Sequence, residues 1–300
     1  MFGKRLISTF EFVDRVDLLK VRKRDPAWYD PPMNNHLIKS IAALLLLPAG
    51  CESPTVTSST EADASPPGTP EPVVTGSPPE PTATPIRFLA WNIESGGNDP
   101  AVIASQLEAM SGYDVICLCE VSGKQFERYA ATKPGFTSVE SETGRADRMQ
   151  ILFDASRFEL LEKKELHELN NDYHRSPMFV RLRDQSTARE FIVMVNHLAR
   201  RDAKLRERQA AGVRDWARDQ TAGVICIGDF NMDFDFDDQK GNSAFVEIMA
   251  DNVFTWAKPA EWIDTNWADP DGDGKDNYPR SMLDFAFLSG PSKDWAPFAK

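Results

Sequence analysis

The sequence has few cysteines, no long apolar run and a deficit of positive charge. Its 300 residues include only 4 cysteines, Cys51, Cys117, Cys119 and Cys226, too few and too widely spaced for a disulfide framework or a zinc finger. No apolar stretch reaches the roughly 18–20 residues that a membrane-spanning helix needs. The 34 basic residues are outnumbered by 46 acidic ones, giving a net charge of −12. This balance argues against a protein that coats duplex nucleic acid through bulk positive charge. Hydrophobic residues nevertheless make up 41% of the chain, which is enough for a packed core.

The first 51 residues resemble an export signal that is preceded by an extension. Residues 1–32 lie before a second methionine, Met33, and we interpret Met33 as the true start and residues 1–32 as a misannotated extension. Residues 33–51 run from a short charged segment through a short apolar stretch to small residues and Cys51, which is typical of a secretory signal peptide. The position of Cys51 resembles that of the lipidated cysteine in a bacterial lipoprotein, although Pro48 stands where an aliphatic residue is more usual. We therefore predict an exported protein that is anchored to a bacterial membrane through Cys51. The alternative is a buried core helix with an ordinary buried cysteine.

Residues 52–85 form a tract that is poor in core-forming residues. Of its 34 residues, 9 are proline, 5 are serine and 7 are threonine, and none is lysine or arginine. Such a tract buries almost nothing and cannot offset the entropy that ordering removes. We predict a disordered linker that holds the following domain away from a membrane surface.

Residues 86–300 carry the patterns of a folded domain. One predicted helix begins at Asp99 and Pro100, since aspartate suits the N-cap and proline the first turn, and another covers residues 201–219. Apolar or alternating runs of about four to eight residues predict strands. These strands are Ile86–Asn92, Val115–Val121, Met149–Phe153, Met178–Arg183, Phe191–His197, Val224–Asp229 and Leu283–Leu288. Mixed strands and helices over this length predict an α/β sandwich.

Five of these strands carry polar side chains at or near their ends, where an apolar core would not choose them. These residues are Asn92, Glu120, Asn196, His197, Asp229, Asn231 and Asp284. One such residue alone is typical of a solvated turn, because Asp and Asn bond their own backbone there. Together they place carboxylates, amides and an imidazole at the strand ends of a rigid scaffold, where sites are commonly built. Carboxylate and carbonyl oxygens suit a hard cation such as Mg²⁺, and histidine beside aspartate can orient water and move protons.

In order and context these segments resemble the endonuclease/exonuclease/phosphatase superfamily, over essentially all of residues 86–300. The resemblance rests on the GDFN segment after an apolar strand, the NH segment about thirty residues before it, and the early WN and E segments. It implies a four-layer α/β sandwich in which two facing sheets are flanked by helices. It also implies that the protein hydrolyses phosphate esters with a divalent metal, Mg²⁺ or Mn²⁺.

The resemblance implies a role for each matched residue. Glu120 matches the principal metal-ligand glutamate, and Asn92 matches the asparagine that helps to hold the metal shell. His197 matches the histidine that stabilises or protonates at the scissile phosphate. Asp229 and Asn231 match the pair in which the aspartate activates water and the asparagine contacts phosphate.

Two residues outside these motifs extend the resemblance. Arg175, in YHRSPMFV, resembles a phosphate-contacting arginine of the deoxyribonuclease branch. Asp147 stands at a spacing that suits the acidic partner of His197.

Asp284 matches the aspartate that orients a final catalytic histidine. In the family this histidine lies in an S-D-H segment on a following strand, and the sequence through Lys300 contains no such segment. We therefore expect either a longer natural protein or a domain without its last strand and base. In the second case activity would fall by orders of magnitude and a sheet edge would be left open.

An acidic loop near the C-terminus is similar to the first half of a calcium-binding loop. Asp269, Asp271 and Asp273 have the right spacing, but Arg280 stands where a bidentate glutamate is expected. A Ca²⁺ site and a solvated acidic surface loop are the two alternatives.

Two classes of function follow. The first is an exported, membrane-tethered, metal-dependent phosphoesterase, which we expect to be a nuclease-like phosphodiesterase because of the context of Arg175. Within this class a phospholipid head group or a sugar phosphate is the alternative substrate to nucleic acid. The second class is a surface-anchored binding domain with a disabled site.

Overall fold

The fold is known from a computed structural model that describes residues 8–13, 84–94, 97–170, 174–266 and 275–299. Several sequence predictions lie outside these residues: the signal peptide with Cys51, nearly all of the linker, the calcium loop with Asp269, Asp271 and Asp273, and any strand after Lys300. They stay predictions.

The described residues contain strands, α-helices and short 3₁₀ turns in alternation. The strands are β1 (Ser8–Val13), β2 (Ile86–Asn92), β3 (Val115–Val121), β4 (Phe136–Glu140), β5 (Arg148–Asp154), β6 (Phe158–Glu165), β7 (Met178–Asp184), β8 (Glu190–His197), β9 (Gly223–Asp235), β10 (Phe254–Trp256), β11 (Ser281–Ser289) and β12 (Ala296–Ala299). The α-helices are α1 (Pro100–Ala109), α2 (Phe126–Ala131), α3 (Ala203–Arg218) and α4 (Ser243–Met249). All seven predicted strands and both predicted helices are present.

Two six-stranded sheets organise the domain. The first has the order β12-β1-β2-β3-β5-β4, and the second has the order β10-β11-β9-β8-β7-β6. Two neighbouring pairs, β2 with β3 and β8 with β9, run parallel, while the other pairs are antiparallel. Strand β1 lies in residues that the sequence assigns to the N-terminal extension, and it pairs with β2.

Three apolar clusters show that the sheets and helices form four layers. The central cluster joins both sheets through residues such as Phe88, Val115 and Val193. Alternate residues of the same strands point to the opposite faces. There the second sheet packs against α3 and α4, and the first packs against α1 and α2. The predicted four-layer α/β sandwich is therefore confirmed.

The helices begin where side chains satisfy their free backbone N–H groups. Asp99 accepts a hydrogen bond from Ala101 N at 2.8 Å at the start of α1, as the sequence predicts. Asp202 accepts from Leu205 N at 2.9 Å and fixes the start of α3. An N-cap of this kind contributes about 1 kcal/mol to stability.

Three cysteines lie in the core as free thiols. Cys117, Cys119 and Cys226 are buried and form no disulfide, and burial raises the pKa of each thiol. Cys119 Sγ donates to Asn196 O across the two sheets at 3.3 Å. In the part of the chain that the structure describes, no helix is both long and apolar enough to span a bilayer.

Candidate active site

The polar strand ends of the two sheets meet at one edge of the sandwich. In the first sheet, Asn92 ends β2 and Glu120 lies near the end of β3. In the second, His197 ends β8 and lies opposite Asp229 on β9, which in turn lies opposite Asp284 on β11. The three residues of the second sheet therefore form a row across neighbouring strands.

Asn92 joins the two sheets within the site. Its Nδ2 donates to Glu120 Oε1 at 2.8 Å and to Asp229 Oδ2 at 3.0 Å, while its Oδ1 accepts from Glu94 N at 3.1 Å. His197 Nε2 lies 3.7 Å from each of the same two carboxylate oxygens. The sequence-predicted residues Asn92, Glu120, His197 and Asp229 are thus brought together.

The backbone takes unusual conformations where these side chains project. Glu120 has φ 58° and Asn231 has φ 51°, the left-handed region that L-residues with side chains rarely adopt. The β3–β5 register shifts between Leu118 and Val121, around Glu120. Strain of this kind clusters at functional sites, because the surrounding structure must hold it in place.

A glycine makes the close approach of β8 and β9 possible. Gly228 has φ 132°, and a Cβ there would lie 2.2 Å from Asn196 O. No other residue type fits this position without a shift of the backbone. The glycine of the GDFN segment therefore sets the position of Asp229 beside His197.

The other side of His197 faces a second acid and an arginine. Its Nδ1 lies 3.4 Å from Asp147 Oδ1, a long distance for a hydrogen bond. Arg175 forms an ion pair with Asp147 and donates through Nε to His197 O at 2.8 Å and through Nη2 to Leu198 O at 3.3 Å. Asp147, which the sequence indicates only by its spacing, is therefore in reach of His197.

Arg175 is a buried residue that connects Asp147 to the backbone of His197 and Leu198. Its side chain is only 9% exposed, and its Nε, Nη1 and Nη2 atoms all donate to protein partners. These contacts give Arg175 a positioning role. The phosphate contact that the resemblance implies for Arg175 stays a prediction.

Charges around Asp147 keep it ionised. Burial alone would raise the pKa of Asp147, but the hydrogen-bonding and charge of His197 and the charges of Arg175 and His174 bring it below the usual value of 3.8. A carboxylate that stays negative can hold a protonated imidazole and fix its orientation.

Asn231 presents an acceptor to the interior of the site. Its backbone N donates to Asp229 Oδ1 at 3.0 Å, and its Nδ2 donates to Leu198 O at 2.9 Å. Its Oδ1 is buried and has no hydrogen-bond partner among the described residues. One N–H of Nδ2 is used by Leu198 O, and the phosphate contact implied for Asn231 stays a prediction.

Asp284 is held by a residue that no sequence motif marks. Leu283 N and Asp284 N donate to Thr265 Oγ1 at 2.7 and 3.1 Å, which anchors the β11 backbone where its register with β9 shifts. Thr265 lies in an irregular segment, and no pattern in the sequence could have identified it. The histidine that Asp284 would orient in the family is not among the described residues that contact it.

Two acids open the site to solvent. The side chains of Glu120 and Asp147 are 27% and 38% exposed, whereas Asn92, His197, Asp229, Asn231 and Asp284 are at most 5% exposed. A ligand would therefore enter between Glu120 and Asp147 and reach His197, which is more deeply buried.

The residues present fit a hard divalent cation, although the protein atoms alone do not enclose one. Among the described residues, no cluster of three or more His, Cys, Asp or Glu side chains is arranged to hold a metal by itself. Glu120 Oε1 and Asp229 Oδ2 nevertheless share one amide nitrogen of Asn92, and Asn231 Oδ1 is buried without a donor. Mg²⁺ uses one or two carboxylates and fills its other positions with water or phosphate oxygens. Of the two carboxylates that Asn92 bridges, Glu120 is the one that solvent reaches, since its side chain is 27% exposed and that of Asp229 is 1% exposed.

Solved structures of low sequence identity share this fold. D. rerio TDP2 in complex with a single-strand DNA product is 15% identical, and the alignment covers 68% of this chain and 83% of that chain with a TM-score of 0.54. A mannosyl-6-phosphatase of Bacteroides thetaiotaomicron VPI-5482 is 16% identical over 65% of this chain and 78% of that chain, with a TM-score of 0.50. An endonuclease/exonuclease/phosphatase family protein from Bacteroides thetaiotaomicron is 17% identical over 65% and 74%, with a TM-score of 0.50.

No curated protein matches this chain. The model of the Endonuclease/Exonuclease/phosphatase family matches residues 89–296, a span that holds every residue of the site described above. The chain therefore belongs to the Endonuclease/Exonuclease/phosphatase family.

Proposed function

We propose that this protein is a metal-dependent phosphodiesterase of the nuclease type. The observation that carries the proposal is that Asn92 Nδ2 donates to both Glu120 Oε1 and Asp229 Oδ2 while His197 Nε2 lies 3.7 Å from each of these oxygens. Carboxylates, an amide and an imidazole at this spacing suit in-line attack of water on a phosphate ester.

Each residue has a task that its contacts support. A divalent cation at Glu120 would neutralise charge on a non-bridging phosphate oxygen. Asp229 is buried and ionisable beside His197, so it orients the attacking water and accepts its proton. His197 donates a hydrogen bond from Nε2 to the phosphate as negative charge develops there. Asp147 and Arg175 hold the imidazole in the required orientation.

The proposal also specifies which kind of phosphate ester the protein hydrolyses. The structural neighbours include a TDP2 bound to single-strand DNA and a mannosyl-6-phosphatase, and at 15–16% identity they share only the fold with this chain. We favour a nucleic-acid phosphodiester because the context of Arg175 resembles the deoxyribonuclease branch. A sugar phosphate or a phospholipid head group is the alternative.

The deciding experiment is hydrolysis by the full chain in Mg²⁺ or Mn²⁺. We expect nicking of supercoiled plasmid that EDTA abolishes, and a loss of at least about 100-fold in His197→Ala. Gln185→Ala is the control, since Gln185 is an exposed residue of the turn between β7 and β8. Release of phosphate from mannose 6-phosphate or of a lipid head group, without nicking, would contradict the nuclease assignment. No turnover of any of these substrates would favour the disabled binding domain.

We further propose that the protein is exported and anchored through a lipid on Cys51, as the sequence of residues 33–51 suggests. The test is mass spectrometry of the native protein from membrane and soluble fractions. A mature chain that begins at a lipidated Cys51 in the membrane fraction is expected. A soluble chain that retains residues 33–50 would contradict the proposal.

A further inference from the structure

A cavity of about 330 Å³ flanks the Asp147–Arg175 pair. The β4–β5 loop contributes Arg145 to its lining and the start of β5 contributes Arg148, while the segment between β6 and β7 contributes His167 and His174. Glu142 is the acidic residue among those that line it. The lining is therefore basic, in a chain whose net charge is −12.

Arg148 supplies an unpaired positive charge to this cavity. Its Nε donates to Arg145 O at 3.1 Å, which aims the guanidinium without using its terminal nitrogens. No described carboxylate forms an ion pair with Arg148. A guanidinium with two free N–H edges suits a phosphate, which it can bind in bidentate fashion.

The two histidines add hydrogen-bonding groups to the cavity. Burial and the nearby charge of Arg175 lower the pKa of His174 below 6.5, so this imidazole is neutral at pH 7. His167 Nδ1 lies 3.5 Å from Ser176 Oγ. The arginines therefore supply positive charge to the cavity, and the imidazole of His174 can take part in a neutral hydrogen bond.

The cavity is built by a buried network and does not depend on surface side chains alone. Glu165 is 9% exposed and accepts hydrogen bonds from Glu142 N and from the backbone N and Oγ1 of Thr143. Ser176 N donates to Thr143 Oγ1 at 2.8 Å. The loop that carries the arginines is thus fixed to the segment that carries the histidines.

The same two segments also carry the residues that face His197. Asp147 lies between Arg145 and Arg148 in sequence, and Arg175 directly follows His174. A Cβ at Gly144 would lie 2.2 Å from Asp147 O and 3.1 Å from Arg175 Cβ, so the loop packs tightly against Arg175. The segments that line the cavity are therefore the same two that carry Asp147 and Arg175.

We propose that this cavity is a second phosphate subsite, in which Arg148 and Arg145 bind the phosphate that neighbours the scissile one on a nucleic-acid strand. The proposal rests on the proposed function, because it names the substrate that the site would prefer. A substrate with a phosphate on each side of the reacting nucleotide would gain affinity from this cavity. A substrate with a single phosphate would not.

The test is equilibrium binding of a 5′-phosphorylated dinucleotide and of the same dinucleotide without the 5′-phosphate, in EDTA so that hydrolysis does not occur. In the wild-type chain the 5′-phosphate should tighten binding about tenfold. This gain should disappear in Arg148→Gln. A wild-type chain without the gain, or an Arg148→Gln variant that retains it, would overturn the proposal.

A matched control removes the same charge elsewhere. Arg183 lies at the far end of β7, where it pairs with Glu159 and Glu190, so Arg183→Gln should keep the full gain. Arg145→Gln provides a second variant of the cavity if Arg148→Gln lowers Tm. Binding that shows the gain without any hydrolysis in Mg²⁺ would refute the proposed function and keep the subsite, whereas hydrolysis without the gain would refute the subsite alone.

Discussion

Asp147 Oδ1 lies 3.4 Å from His197 Nδ1, and Arg175 holds both residues at once. The guanidinium pairs with the Asp147 carboxylate and donates to the backbone oxygen of His197. The acid that faces the imidazole ring and the backbone that carries the ring are therefore fixed by one buried group. A substrate that binds at His197 Nε2 therefore requires Arg175 and Asp147 to keep the imidazole in place.

Asp147→Asn should lower kcat about 100-fold and leave KM nearly unchanged. The amide lacks the negative charge of the carboxylate that faces His197 Nδ1, but it does not change the groups that bind substrate. Steady-state kinetics on the substrate found by the nicking assay checks this. Asp154→Asn is the matched control, because Asp154 only caps its own turn at Ser156. An unchanged kcat in Asp147→Asn would contradict the role of Asp147 in orienting His197.

The stability that Asp147 contributes should depend on pH with a definite sign. Its pKa is lower in the folded protein than its usual value of 3.8, because of His197 and Arg175. Its contribution is therefore fully present above the unfolded pKa and is lost as pH falls through the folded one. Urea unfolding should show wild type more stable than Asp147→Asn by about 0.5–1 kcal/mol at pH 6, because the Asp147 side chain is 38% exposed and solvent screens its ion pair, and the difference should shrink below pH about 3.5. A difference that grows in acid would contradict the assignment.

Arg175→Lys distinguishes positioning from phosphate binding. Lysine keeps the charge but cannot reach His197 O, Leu198 O and Asp147 together, since its single ammonium replaces a planar fork. If Arg175 positions His197, kcat should fall about tenfold or more with little change in KM, and Tm should fall as well. A rise in KM alone would instead assign Arg175 to the phosphate. Arg183→Lys, near the C-terminal end of β7 and away from the site, is the control.

Gly228→Ala should destabilise the protein by about 3 kcal/mol or more, because the new Cβ would meet Asn196 O as well as strain the backbone. Gly135→Ala is a matched control for strain alone. Gly135 also has a positive φ, of 89°, but no atom lies within 4 Å of its Cβ position. Gly135→Ala should lower the free energy of unfolding by about 1 kcal/mol. If urea unfolding shows the same loss of unfolding free energy in Gly228→Ala and Gly135→Ala, the close approach of β8 and β9 does not contribute to stability.

The sequence predicts the central strands well and the edge strands poorly. Ile86–Asn92 and Val115–Val121 lie inside their sheet and coincide with β2 and β3. The strands that the sequence pattern misses include β4, β6 and β10, which lie at sheet edges. An edge strand has one solvated side, so β6 carries charged residues such as Lys163 and Lys164 and loses its apolar signal.

The site is predictable where a motif marks it and unpredictable where tertiary contacts build it. Glu120, His197 and Asp229 follow apolar strands, so strand-end reasoning finds them. Thr265 and Glu165 act through contacts with backbone far away in sequence, and no local pattern encodes such partners. The left-handed conformation of Glu120 is likewise a product of the β3–β5 register shift.

The most direct test of the account is the Mg²⁺ concentration that gives half-maximal hydrolysis, measured for wild type and Glu120→Gln. Glu120 is the solvent-accessible one of the two carboxylates that Asn92 bridges, so its loss should raise this concentration at least about tenfold. Glu127→Gln, on the exposed side of α2, should leave it unchanged. Hydrolysis that persists in EDTA, or a half-maximal Mg²⁺ concentration that is the same in Glu120→Gln and wild type, would contradict the account.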